Sequence, residues 1–198
     1  FRLVLPARLG FKALQCFYDL ARDWTLAETR LTHAAGVVFC HHDAPIDRVA
    51  RLSDDLADAV KAKSRKHNLM MGLVLESFDH VGGNLDNFWK RHLPNCLEAA
   101  DLVLSPDQLA ALETVAETLK DDDFGRRQLR GLVTAMQSDA FEAALERAKG
   151  LYPKLDDWVK PAKNAGLDIK PMWFLLEYYW DYLAVEHDEA TETQESTP

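Results

Sequence analysis

Cysteine is scarce in this chain of 198 residues: Cys16, Cys40 and Cys96 are widely spaced and form no C-x-x-C pair. That argues against a disulfide framework and a zinc knuckle, and suits a reducing cytoplasm. Long apolar runs are also missing. The nearest approach, Met172–Leu183, is interrupted by Glu177 and Asp181 and falls short of the roughly 18 consecutive apolar residues of a membrane span. Excess positive charge is absent too. With 23 Lys and Arg against 32 Asp and Glu, the net charge is −9, which argues against a general nucleic-acid coat protein. Five acids (Glu186, Asp188, Glu189, Glu192, Glu195) crowd into the last thirteen residues, so the rest of the chain is near −4 and a local basic groove stays open. No Ser-His-Asp or G-x-S-x-G arrangement, Gly-rich phosphate loop or internal repeat of about 20–50 residues occurs. The first residues, FRLVL, lack an initiating Met, a basic leader region and a cleavage site. They read as the inside of a fold, and the sequence is expected to be a fragment.

What is present is core material: 47% of residues are apolar and 10% aromatic, enough to exclude wholesale disorder. The order of elements divides the chain in two. FRLVL predicts a short strand closed by Pro6, and the spacing of Phe11, Leu14, Phe17, Tyr18 and Ala21 predicts a helix within Ala7–Trp24. Leu31–Cys40 ends in Val-Val-Phe and predicts a buried strand. Pro45 then opens a helix whose apolar face is Ile46, Val49, Leu52, Leu56 and Val60. Asn68–Phe78 predicts a third strand, and Asp79–Asn84 a turn that closes this α/β half.

Everything afterwards reads helical. Ser105-Pro106-Asp107-Gln108 is a capping box with Pro at the first helical position. Helices are expected from there to Asp121, over Arg126–Gln137 and around Ala140–Ala148, with one short helix in the broken stretch Lys149–Lys170. The helix opened by Pro171 (MWFLLEYYWDYLAV) is apolar nearly all round, as in a bundle core or, alternatively, a partner interface. As core, Trp180→Ala would cost roughly 3–5 kcal/mol. The acidic tail from Glu186 predicts disorder.

Three patches invite chemistry. His41-His42-Asp43 offers metal-ligating side chains, but the favoured expectation is a strand-to-helix loop in which Asp43 accepts from the helix N-terminus. Gly82-Gly83-Asn84-Leu85-Asp86 is similar to the Gly-Gly-acid-acid turn of diguanylate cyclases and palm polymerases, where paired carboxylates bind Mg²⁺; Asn84 is neutral, and the segment is expected to be a plain turn. Lys61, Lys63, Arg65 and Lys66 close the second helix, where they either meet a polyphosphate or RNA backbone or complement the helix dipole. Arg126, Arg127 and Arg130 form a smaller patch, expected to be a solvated face.

LVLPA (Leu3–Ala7), AAGVVFCHHDAPI (Ala34–Ile46) and AKSRKHN (Ala62–Asn68) occur in that order. Together they resemble the large, polymerase-like subunit (Cas ten) of type III CRISPR effector complexes. In that family a Gly-Gly-Asp-Asp hairpin precedes a strand ending Leu-Pro-Ala, a helix, and a strand reading Ser-Ala-Gly that runs into a His-rich turn and Pro. A helix ending Ala-Lys and a last strand follow, then a helical C-terminal domain. The resemblance covers Phe1 to about Phe78 by motif. It implies an α+β fold: a partial ferredoxin-like or palm (nucleotidyl cyclase-like) domain over residues 1–92, a helical bundle over 93–185, and a tail over 186–198.

The resemblance further implies a palm that binds ATP and Mg²⁺ and makes cyclic oligoadenylate on target RNA binding, with the metal-binding hairpin upstream of Phe1. It implies guide and target RNA, helical small subunits and backbone subunits as partners, and no membrane. Lys63, Ala34 and Gly36 fall at nucleotide-binding positions, and Lys61, Arg65 and Lys66 at RNA or phosphate contacts. His41 and His42 match the His-rich turn. Two positions depart from the pattern: Ala34 replaces the family's Ser, and Asp43 replaces a Lys. A palm that only scaffolds the complex is therefore an alternative, as is a stand-alone nucleotidyl cyclase.

Overall fold

The computed structural model describes residues 1–75, 84–138 and 140–183. Its centre is a β-α-β unit. Strand β3 (Ala34–Phe39) pairs in parallel with β4 (Leu69–Val74), in a register that sets Ala34 against Leu69 and Phe39 against Val74. Helix α2 (Ile46–Lys63) makes the crossover and turns Leu52, Leu56 and Val60 into the core, three residues spaced for one helix face. Gly36 lets helix and strand approach. A Cβ there would lie 2.1 Å from the Ser53 carbonyl oxygen and 2.8 Å from Leu56 Cβ, while Ser53 Oγ donates to the Gly36 carbonyl at 2.8 Å.

Only one edge of β4 meets another strand of its sheet. Leu69 and Leu75 donate to carbonyls on the β3 side, so Met70, Gly72 and Val74 face the other way, as strand alternation requires. Their backbone groups are satisfied individually. Met70 and Leu104 exchange two backbone hydrogen bonds of 2.8 and 2.9 Å. Gly72 donates to Tyr179 Oη at 3.0 Å, and that hydroxyl donates back to the Gly72 carbonyl at 3.1 Å. Val74 has the same exchange with Tyr178 Oη, at 2.9 and 3.3 Å. Two tyrosines and one bridge thus complete an edge that would otherwise bury unpaired polar groups.

Tyr178 is the last residue of α9 (Ile169–Tyr178), and Tyr179 opens the turn after it. Helix α1 (Gly10–Leu20) follows a 3-10 turn at Ala7–Leu9. Its Phe11 ring lies 4.9 Å from Phe39 and 5.0 Å from Tyr179, edge to face. A short antiparallel hairpin, β1 (Thr25–Leu26) and β2 (Thr29–Arg30), joins α1 to β3. After β4 come α3 (Leu85–His92), a 3-10 turn at Ala99–Leu102, α4 (Pro106–Asp121), α5 (Arg126–Met136), α6 (Phe141–Leu151), α7 (Leu155–Trp158), α8 (Lys160–Asn164) and α9. One cluster of buried residues runs from Phe11 through β4 to Leu183.

The molecule is therefore a mixed α+β fold with a small parallel sheet and a larger helical part. No helix of the described residues is long and apolar enough to cross a membrane. Several expectations meet a different outcome. Phe1–Leu5 is exposed and is not a strand. A strand needs a partner for its hydrogen bonds, and none of the described strands pairs with it. It is fastened instead by its side chains, Phe1 against Phe17 at 5.0 Å and Arg2 paired with Asp54. The broken stretch holds two short helices, α7 and α8, not one. The aromatic helix ends at Tyr178, short of the expected run; Trp173 within it is fully buried, whereas Trp180, in the turn beyond, is half-exposed beneath the Lys120 ammonium, 5.1 Å from its ring. The turn at Asp79–Gly83 and the acidic tail lie outside the described residues.

Candidate functional site

The basic end of α2 is held in place by the chain around it. Lys63 Nζ donates to the carbonyl of Ala100, in the 3-10 turn Ala99–Leu102. Lys61 pairs with Asp58 one turn back at 2.8 Å. Beyond the helix, Thr32 Oγ1 donates to the Arg65 carbonyl at 2.8 Å, and the Lys66 N–H donates to Ser64 Oγ at 3.2 Å. Lys61, Lys63, Arg65 and Lys66 are all exposed. The arrangement can meet phosphate oxygens, with Lys61 and Lys63 already engaged.

The other two residues expected at nucleotide-binding positions, Ala34 and Gly36, sit in the sheet. Ala34 is half-buried opposite Leu69, and Gly36 lies under α2 with its carbonyl taken by Ser53. Gly36 serves helix–strand packing. A small residue at this strand position is required by the close approach of the α2 backbone.

A cleft of about 490 Å³ opens beside this region, and none of Lys63, Ala34 and Gly36 lines it. Tyr18, Asp19 and Arg22 come to it from α1 and the turn that follows, Arg30 from β2, His67 and Asn68 from the approach to β4, and Ser105, Pro106 and Asp107 from the start of α4. Its walls are tied together by hydrogen bonds: His33 N to Asn68 Oδ1 at 2.8 Å and Tyr18 Oη to the Leu69 carbonyl at 2.7 Å. Burial pushes the Tyr18 hydroxyl well above the ordinary tyrosine range, so it stays protonated and donates. The charges nearly balance. Arg22 pairs with Asp19 at 2.8 Å, and Asp107 faces the N-terminus of α4, whose capping box between Ser105 and Gln108 is closed. Sequence reasoning missed this cleft because its lining comes from four separated segments, and neither the capping box at Ser105 nor the end of AKSRKHN says in sequence that it will meet the other three.

The remaining candidates are placed as follows. Asn84 caps α3, its Oδ1 accepting from Asn87 N at 3.1 Å, while Gly82 and Gly83 lie outside the described residues. Arg126 and Arg130 reach Asp181 and Glu177, the latter pair at 3.6 Å, so two of the three arginines expected on a solvated face hold α5 to the C-terminal segment. Burial raises the Cys40 thiol above its ordinary range, which makes it a poor nucleophile. His41, His42 and Asp43 are exposed in the loop between β3 and α2. Asp43 does not cap α2: the helix starts after Pro45 without a side-chain cap.

No family model matches the chain, and neither a curated protein nor a solved structure matches it.

Proposed function

We propose that this chain is the C-terminal part of the large subunit of an RNA-guided type III CRISPR effector complex. It supplies the back half of a palm and the helical domain behind it. The observation that carries the reading is the ordered set of motifs, LVLPA, AAGVVFCHHDAPI and AKSRKHN. Supporting it is the parallel β3–α2–β4 unit that links the last two, with Gly36 of Ala-Ala-Gly at the contact with α2. In this reading the palm converts ATP into cyclic oligoadenylate once target RNA is bound, and Lys61, Arg65 and Lys66 face RNA or polyphosphate through charge-assisted contacts. The helical part docks on small helical subunits.

Mg²⁺ does not fit the donors present. Among the described residues, the group of three His, Cys, Asp or Glu side chains that could hold an ion is His41, His42 and Asp43. Mg²⁺ prefers an all-oxygen shell. The contribution of this chain is therefore positioning and docking. A scaffold palm without turnover is favoured by two observations: Ala34 has no hydroxyl to offer a base or ribose, and the Lys63 ammonium is engaged by the Ala100 carbonyl.

Lys63→Ala in the intact subunit separates these readings. Loss of oligoadenylate synthesis with complex assembly retained supports a nucleotide contact. Unchanged synthesis removes Lys63 from the site, and absence of synthesis in the unaltered complex leaves the scaffold.

A further inference from the structure

The loop leaving β3 carries three metal-competent side chains in succession. Asp43 does not cap the helix that follows; its two carboxylate oxygens each reach one of the two imidazoles, whose ring centroids are 4.1 Å apart. His41 Nδ1 is 3.4 Å from Asp43 Oδ2, and His42 Nε2 is 3.1 Å from Asp43 Oδ1. One donor atom from each residue falls within 4.8 Å of the others. Two ligands each about 2.0–2.1 Å from a tetrahedral zinc ion stand about 3.3–3.4 Å apart, and octahedral neighbours stand about 3 Å apart. The two His–Asp separations fall in that span but run to different carboxylate oxygens, so an ion would take Asp43 through both oxygens or turn its carboxylate to bring one oxygen toward the two nitrogens.

Position and chemistry agree with this geometry. β3 and β4 are parallel, and the loop leaves the carboxyl end of β3, where open α/β units place their ligand-binding residues. Asp47, in the first turn of α2, offsets the positive end of that helix's dipole and pairs with Arg51 at 3.0 Å. Two nitrogens and one carboxylate suit a borderline transition ion better than a hard cation such as Mg²⁺. We propose that His41, His42 and Asp43 form a surface site for a divalent transition ion of the zinc class. Three protein ligands leave a fourth position open to water or to an oxygen of an external anion. The site stands apart from the reading of the chain as part of an effector complex.

Calorimetric titration of the purified chain with zinc sulfate tests it, with cobalt chloride as a spectroscopic stand-in. The expected result is saturable binding of a single ion, with cobalt developing visible ligand-field absorption. His41→Ala and His42→Ala should each weaken binding about tenfold or more, the scale on which metal sites respond to loss of supporting groups. Asp43→Asn should weaken it as well, and His67→Ala, at the separate cleft, should leave it unchanged. All three side chains are exposed, so circular dichroism should show each variant folded like the parent. Absence of saturable binding overturns the proposal. So does a zinc affinity that survives either His variant, which would mean an adventitious ion only.

Discussion

Tyr179 is the residue on which the sheet most visibly depends. Its fully buried hydroxyl serves both backbone groups of Gly72, and a Cβ at position 72 would come 2.6 Å from that oxygen. Burial drives its ionisation far above the ordinary range, with the neighbouring Tyr178 adding to the effect. Tyr179→Phe keeps the ring packing but orphans a buried N–H and C=O. Unfolding in urea should show a loss of about 1–3 kcal/mol, with spectra otherwise like the parent. An unchanged midpoint would mean that water reaches Gly72 and that the edge does not need the hydroxyl.

Glu113 gives a prediction at the same scale with a definite sign. Half-buried on α4, it accepts from Gln15 Nε2 at 2.7 Å. Desolvation raises its pKa most, the hydrogen bond from Gln15 opposes that, and Glu117 raises it further. A carboxyl raised in the folded state holds its proton more tightly there than in the unfolded chain. Its contribution to stability is therefore present below the ordinary carboxylate range and lost as pH rises through the raised folded value. Glu113→Gln can still accept from Gln15. It should be more stable than the parent at about pH 7 and lack this component of the pH dependence, as urea midpoints at about pH 4 and about pH 7 will show.

Among the elements, α9 best separates what periodicity reveals from what it conceals. An apolar run of its length predicts burial, and Met172, Trp173, Phe174, Leu175 and Leu176 are all buried. Periodicity does not say which aromatic stands in the core. The helix ends at Tyr178, and Trp180, in the turn beyond it, lies beneath the Lys120 ammonium. Trp173→Ala should cost about 3–5 kcal/mol. Trp180→Ala should cost distinctly less, because a partly exposed cation–π contact contributes about 0.5–1 kcal/mol. Thermal melts of the two variants side by side check the order. Equal losses would place Trp180 in the core after all.

The same contrast holds for the other elements. The capping box at Ser105 and the buried part of the α2 face, Leu52, Leu56 and Val60, were legible because local chemistry determines them, whereas Ile46, expected on that face, is exposed in the first turn. The fate of FRLVL was not legible, because strand formation depends on a partner elsewhere in the chain. The cleft was illegible for a related reason: Arg22, Arg30 and His67 meet only once the fold is complete. Gly36 could be singled out from sequence, but the Ser53 carbonyl that determines its role is contributed by the face of α2.

For the whole molecule, one buried cluster joins the β-α-β unit to the helices, so that α9 finishes the sheet and the sheet orders the end of α9. Such reciprocity predicts that the two parts unfold together. The functional reading belongs to this scale as well, since it rests on the order of three motifs along a chain whose central unit is β3–α2–β4. The most direct measurement is to isolate the intact protein under native conditions and to identify the nucleic acid and polypeptides that accompany it. The account predicts a bound guide RNA together with small helical subunits and backbone subunits. A protein that emerges free of RNA and of partner subunits would contradict it.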